Sequence, residues 1–222
     1  MSNQKPTVAA LIPAAGSGER LGKGPKAYLP LGATSILGIC LEAFEGHVDE
    51  IIVAVSEDMT PEARQYVPEG VQVILGGATR QASVYELLKA TSADSVLIHD
   101  AARPFLARDI IAKMADSVQK NGAATVAKSV TDTLIHAETD ALIPREPLRA
   151  IQTPQGFERN LILKAHEDAV ANGIEATDDA ALVRRLGHRV ALVEGSSWLM
   201  KITTPADYDM AQALVGVWHD RN

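Results

Sequence analysis

"LIPAAGSGERLGKGPKAYLPLG", residues 11–32, sets an apolar run ahead of a glycine-rich loop that carries Arg20, Lys23 and Lys26. Two structures fit such a stretch: a strand feeding a loop that grips phosphate, or a strand ending in a plain surface turn. Gly16, Gly18 and Gly22 read G-x-G-x-x-x-G. This is not the dinucleotide-binding G-x-G-x-x-G, because Leu21 holds the third glycine's place. Nor is it a Walker P-loop, since Gly24 follows Lys23 and no hydroxyl is placed to hold magnesium. The next helical pattern begins only near Ser35, too far along the chain to bring a helix N-terminus to the loop. An anion here is held by backbone N–H groups with Arg20, Lys23 and Lys26.

Working outward, apolar runs of strand length alternate with longer helical patterns. "VAALIP", "EIIVAVS", "VQVIL", "SVLIHD", "AATVAKSV" and "VALVEG" read as strands. "SILGICLEAFEG", "PEARQYV", "RQASVYELLKAT" and "ARDIIAKMADSVQKNG", the last ending at Gly122, carry helical spacing, as do 158–171, 178–186 and 205–217. Repeated βα units predict an α/β fold, a Rossmann-like and mostly parallel sheet with helices on both faces and sites at strand C-terminal ends. Residues 131–152 break the rhythm with two short strand-like runs interrupted by charge and proline, which predicts a protruding β-hairpin. With no internal repeat or linker, residues 1–222 are expected to form a single domain.

Composition narrows the function. Hydrophobic residues make up 46% and charged residues 22%, the profile of a globular protein. A formal net charge of −7 without a basic block argues against a nucleic-acid partner, as does an aromatic content of 4%. Cys40 is the only cysteine, so disulfides within the chain and cysteine-ligated zinc are excluded and a reducing compartment, the cytoplasm, is expected. No run reaches the roughly 20 apolar residues of a membrane span.

Further segments at strand ends sharpen the reading. "GGATRQASV", 76–84, offers close backbone approach at its glycines and a hydroxyl at Ser83, or else a turn and helix cap. "HDAARPF", 99–105, puts Asp100 at a strand terminus, where a carboxylate near a phosphate loop suggests a bridging magnesium ion. Pairing with Arg103 is the plainer alternative, and the two roles are compatible. "ATDDAAL", 176–182, reads as an N-cap at Thr177 followed by two acids, with metal binding the competing possibility. Lys201 ends an apolar stretch and alone would pass for a solvated lysine. The histidines show no paired ligand spacing, His99 reads as structural, and no nucleophile elbow or Cys–His grouping points to covalent catalysis.

Taken in order, "PAAGSGERLGKGPKAYL", "GGATRQASV", "HDAARPF", "DT", "REPLRAIQTPQGF", "TDDAAL" and "KIT" resemble the 2-C-methyl-D-erythritol 4-phosphate cytidylyltransferases over nearly the whole chain. The ribitol-phosphate cytidylyltransferases share much of this pattern and are the nearest alternative, ahead of a non-catalytic nucleotide-binding module. The resemblance implies an enzyme that joins CTP to methylerythritol 4-phosphate with release of pyrophosphate, using Mg2+ or another divalent cation. It implies Pro13, Ala14, Ala15, Gly16 and Gly18 as the CTP loop, with Arg20, Lys26 and Lys201 as the catalytic cations. Gly77, Ala78 and Ser83 would face the base, and Asp100 and Ala101 the ribose and metal. Arg103, Thr133, Arg145, Thr177 and Thr203 would serve the acceptor substrate. The hairpin resembles the family's dimerisation arm, which carries Thr133 and Arg145 into the partner site of a homodimer. Ala27 replaces an expected glutamine and Leu199 an expected asparagine.

Overall fold

The computed structural model describes residues 5–16 and 24–221. Strand β1 is Val8–Pro13, followed by the small hairpin β2 (Pro30–Leu31) and β3 (Thr34–Ser35) and helix α1 (Ile36–Glu42). Next come β4 (Glu50–Val55), α2 (Thr60–Tyr66), β5 (Gln72–Leu75), α3 (Arg80–Ala90) and β6 (Ser95–Ile98). Helix α4 (Arg108–Asn121) leads to β7 (Ala123–Ser129), the paired β8 (Leu134–Ile135) and β9 (Leu142–Ile143), and the long β10 (Arg149–Glu158). Helices α5 (Arg159–Asn172) and α6 (Asp179–Arg185), strand β11 (Ala191–Glu194) and helix α7 (Pro205–His219) complete the order.

The main sheet has seven strands in the order β11-β7-β10-β6-β1-β4-β5. All run parallel except β10, which is antiparallel to both its neighbours, β6 and β7. Side chains of a strand alternate between faces, and β1 is apolar on both. Ala10 and Ile12 join a cluster with Leu37 and Leu41 of α1 and Ile110, Met114 and Val118 of α4. Ala9 and Leu11 join one with Val84 and Leu87 of α3, Ile162 of α5 and Val183 of α6. Each fully buried Leu or Ile in these layers contributes about 1.5–3 kcal/mol. Such double burial makes parallel strands read as unbroken apolar runs in the sequence.

Helix α4 ends as expected at Gly122, whose left-handed φ of 74° places its N–H on Val118 O at 2.8 Å. A third cluster, of Phe105, Trp198 and Trp218 with Leu31 and Ile36, docks α7 beside the sheet.

Two expectations need correction. The arm does not run to residue 152, because the chain rejoins the sheet at Arg149. The long strand 149–158 has no counterpart in the sequence reading, because Pro154 cannot donate to a ladder and proline normally marks an edge strand. The sheet accommodates it with a register shift between Ile151 and Gln155, opposite Ala127 and Thr125 of β7. Gly156 then passes under α4. A Cβ there would lie 2.6 Å from Val118 Cγ2 and 2.8 Å from Leu97 Cδ2. Gly156→Ala is accordingly expected to cost about 1–3 kcal/mol through overpacking, read as a lower denaturant midpoint with an unchanged slope. An unchanged midpoint would show that α4 shifts without cost.

Candidate active site

From β1 the chain moves outward to β4 and β5, then crosses back to place β6 on β1's other side. Loops leaving β1 and β6 therefore diverge, and the crevice between them is where open α/β sheets bind ligands. A cavity of about 490 Å³ lies there. Pro13, Ala14, Ala15, Gly16, Lys26, Gly77, Ala78, Ser83, Asp100, Ala101, Lys201 and Thr203 line it, uniting expected residues from five segments of the chain. Thr79, Arg80, Ala27 and Ala102 also line it. Gly18 and Arg20 lie outside the described residues.

Backbone bonds fix the walls. Ala14 N–H donates to Ala54 O at 2.7 Å, Gly76 N–H to Val55 O at 2.8 Å and His99 N–H to Leu11 O at 3.0 Å. The glycines of 76–77 are required by close approach. A Cβ on Gly76 would lie 2.6 Å from that of Ala15, and one on Gly77 would lie 2.5 Å from that of Ala82. Ser83 accepts from Gly77 N–H at 3.1 Å and lies 2.9 Å from Thr79 O, while Thr79 caps α3 by accepting from Ala82 N–H. The turn-and-cap reading of this segment holds, and the segment also lines the cavity.

The cavity's charge centres on Asp100. Lys201 Nζ donates to its Oδ2 at 2.7 Å and Arg80 Nε to its Oδ1 at 2.9 Å, while Arg103 Nε is more distant at 3.8 Å. Burial alone would raise the Asp100 pKa, but the charges of Arg80, Lys201 and Arg103 hold it well below the usual carboxylate range. Lys26 Nζ donates to Ile202 O, one residue on from Lys201, at 3.2 Å. Three cations against one carboxylate line the cavity of a chain whose net charge is −7. Such a site suits a polyanion.

Other expected residues stand elsewhere. Arg103 is half-buried beside Asp100, donating from Nη1 to Leu199 O at 2.6 Å, and does not line the cavity. Leu199 contributes this carbonyl, which any residue would supply. Thr177 is exposed, and the cap of α6 is Asp178, which accepts from Ala181 N–H at 2.8 Å. The expected cap at Thr177 is thereby corrected: Asp178 is one residue closer to the helix and holds the position. Thr133 and Arg145 sit exposed on the arm, where Arg145 Nη1 donates to Thr131 O. Sequence reasoning misses Arg80, although a cation in the first turn of α3 opposes the helix dipole and is an available signal.

His99 is structural, as expected. Arg103 O only accepts, so His99 Nε2 donates to it, at 3.0 Å. Nδ1 then accepts from the Thr153 hydroxyl at 2.9 Å, and Thr153 Oγ1 accepts from Asp100 N–H at 3.1 Å. The chain fixes a neutral imidazole and ties the 99–103 turn to β10.

Comparison with known proteins places this geometry. A family model described as 2-C-methyl-D-erythritol 4-phosphate cytidylyltransferase matches residues 8–217. The Deinococcus radiodurans protein of that name is 50% identical over 216 residues, covering 95% of this chain and 90% of its own length. The crystal structure of the Thermus thermophilus enzyme superposes with a TM-score of 0.84 at 43% identity, over 95% of this chain and 99% of that one. The 4-diphosphocytidyl-2C-methyl-D-erythritol synthase structure from Anaerococcus prevotii gives 0.85 at 29% identity, over 95% and 96%.

The buried imidazole sets a pH dependence. Burial, the largest effect, lowers the His99 pKa from 6.5 to about 4. Below pH 6.5 the unfolded chain therefore binds a proton that the folded one does not, so stability falls as pH drops and levels off below about 4. The expected loss from this residue is on the order of 3 kcal/mol. Denaturant titrations from pH 7 to pH 4 should show it, and His99→Gln should flatten the slope. An equally steep slope in that variant would assign the effect to other groups.

Proposed function

The chain belongs to the 2-C-methyl-D-erythritol 4-phosphate cytidylyltransferase family, and we propose that it joins CTP to 2-C-methyl-D-erythritol 4-phosphate as a single nucleotidyltransferase domain. The products are the CDP-linked sugar alcohol and pyrophosphate. The observation that carries this reading is the cationic cavity at the β1/β6 switch point, built from the segments that a nucleotide would need.

The chemistry follows from charge. The acceptor's phosphate monoester has a second pKa near 6 and attacks as a dianion, so no base has to remove a proton. One of its oxygens bonds to the α-phosphorus of CTP as the bond to the bridging oxygen of pyrophosphate breaks. Negative charge accumulates around phosphorus during this exchange, and fixed cations that need no reorganisation stabilise it. Lys26 and Lys201, both lining the cavity, supply that charge together with Arg20. Residues 13–16 and 77–78 present backbone to the nucleotide, with Ser83 and Ala101 beside it. Thr203, Thr133 and Arg145 orient the acceptor, the last two reaching a partner's cavity from the arm of a homodimer.

Among the described residues no group of three or more His, Cys, Asp or Glu could hold a metal. Mg2+ that takes its other oxygens from phosphates and water fits a single carboxylate. Asp100 offers one, since Arg80 and Lys201 engage each of its oxygens once and leave further lone pairs. When bound there, the cation would neutralise triphosphate charge. No helix among the described residues is long and apolar enough to cross a membrane, and a cytoplasmic location belongs to the same proposal.

Pyrophosphate release should be fast with CTP and 2-C-methyl-D-erythritol 4-phosphate and slow with UTP, because a site bonded to one base leaves buried groups unpaired with another. Faster turnover with ribitol 5-phosphate would move the assignment to that acceptor. Lys26→Ala should lower kcat at least about 100-fold.

Sharing of sites has its own test. Lys26→Ala and Arg145→Ala chains are each expected to be inactive, but a mixed dimer contains one intact site. Random exchange gives about half mixed dimers, so activity should return to roughly a quarter of wild type. No recovery despite confirmed exchange would place Arg145 with its own chain's cavity.

A further inference from the structure

A buried polar cluster extends from the cavity behind Arg80, beyond every residue given a role above. Arg80 Nη1 donates to Asp179 Oδ2 at 2.8 Å, while Nε is engaged with Asp100. Asp179 is buried, and its Oδ1 lies 3.2 Å from Nε2 of the buried His166. The Tyr85 ring lies parallel to that imidazole, with centroids 6.2 Å apart. Asp179 cannot drift, because its segment is clamped on both sides. Gln155 donates to Asp178 Oδ2 and accepts from Ala180 N–H, both at 2.9 Å. Gln81 accepts from Ala176 N–H and donates to Ile174 O, also at 2.9 Å each. Burial would raise the Asp179 pKa, but Arg80 and His166 lower it, keeping the carboxylate charged.

A guanidinium has five N–H donors, and the carboxylates engage only Nε and one N–H of Nη1. The remaining donors, including the whole Nη2 group, belong to a side chain that is 31% exposed and lines the cavity. Asp100 on Nε and Asp179 on Nη1 hold the guanidinium from two sides, which fixes its plane and leaves Nη2 engaged by neither carboxylate.

We propose that Arg80 contacts the nucleotide, and that Asp179, backed by His166, is a positioning residue that holds the guanidinium open toward the cavity. The proposal rests on the CTP reading of that cavity.

Calorimetric titration with CTP alone, paired with steady-state kinetics and thermal unfolding, tests it. Arg80→Lys keeps the charge but cannot span both carboxylates, and should weaken CTP binding roughly 10-fold or more. Asp179→Asn should do the same and raise KM for CTP while leaving KM for the acceptor unchanged. The double variant should bind CTP within about twofold of Arg80→Lys, because Asp179 acts through Arg80. Should Asp179→Asn fail to fold, Asp179→Glu serves the same comparison with the charge kept and displaced. CTP binding by folded Arg80→Lys within about twofold of wild type, or a full additional loss in the double variant, would overturn the proposal. Wild-type protein that binds no CTP overturns the underlying reading instead, before any variant is compared.

Discussion

A carboxylate taken out of water costs several kcal/mol unless it is paired, and Asp100 sits nearly buried at the end of β6. Three segments far apart in sequence answer that demand: the start of α3 through Arg80, the turn through Arg103, and the stretch after Leu199 through Lys201. Meeting one charge brings these segments together. Their cations are then positioned before any ligand arrives, which is the condition under which fixed charge accelerates a reaction. Arg80 and Lys201 lean into the cavity, while Arg103 stands beside Asp100 without lining it.

The same walls depend on an unusual strand. At the bulge in β10 the ladder gives up regular pairing, and the freed side chains bind neighbouring loops. Gln152 donates to Ser196 O at 2.8 Å, Thr153 holds Asp100 and His99, and Gln155 holds Asp178 and Ala180. A regular strand would aim alternate side chains into the layers of helix above and below. The irregularity that admits Pro154 thus also supplies the polar contacts joining the segments around the cavity.

This divides what the sequence reveals from what it hides. Strands β1, β4 and β6 are legible because burial on both faces demands unbroken apolar runs. Their order along the chain locates the crevice, and with it Pro13–Gly16, Gly77 and Asp100, whereas Lys201, alone indistinguishable from a solvated lysine, enters through the family resemblance. Strand β10 is hidden because proline, glycine and glutamines are poor strand signals, although tertiary pairing with two neighbours overrides them. Arg80 is hidden for a different reason. Its partners lie 20 and 99 residues away, so its meaning is a property of the fold. Asp178 and Thr177 differ by one residue, a distinction that only the cap hydrogen bond settles.

The proposed division of labour between cavity and arm rests on electrostatics. Both substrates are anions, and each must be brought against the other. The cations described around the cavity already have work: Lys201 and Arg80 are held on Asp100, and Lys26 on the chain at Ile202. An acceptor phosphate calls for charge from another direction, so that it can approach the α-phosphorus opposite the departing pyrophosphate. Arg145 is exposed on a ribbon that also exposes Ile135 at 57% and Leu142 at 70%. Apolar side chains displayed on a two-stranded ribbon, itself marginal in water, call for a surface to cover them. In a two-fold dimer the contact that covers the ribbon would also deliver the arginine, so assembly and acceptor binding would be met by one interaction.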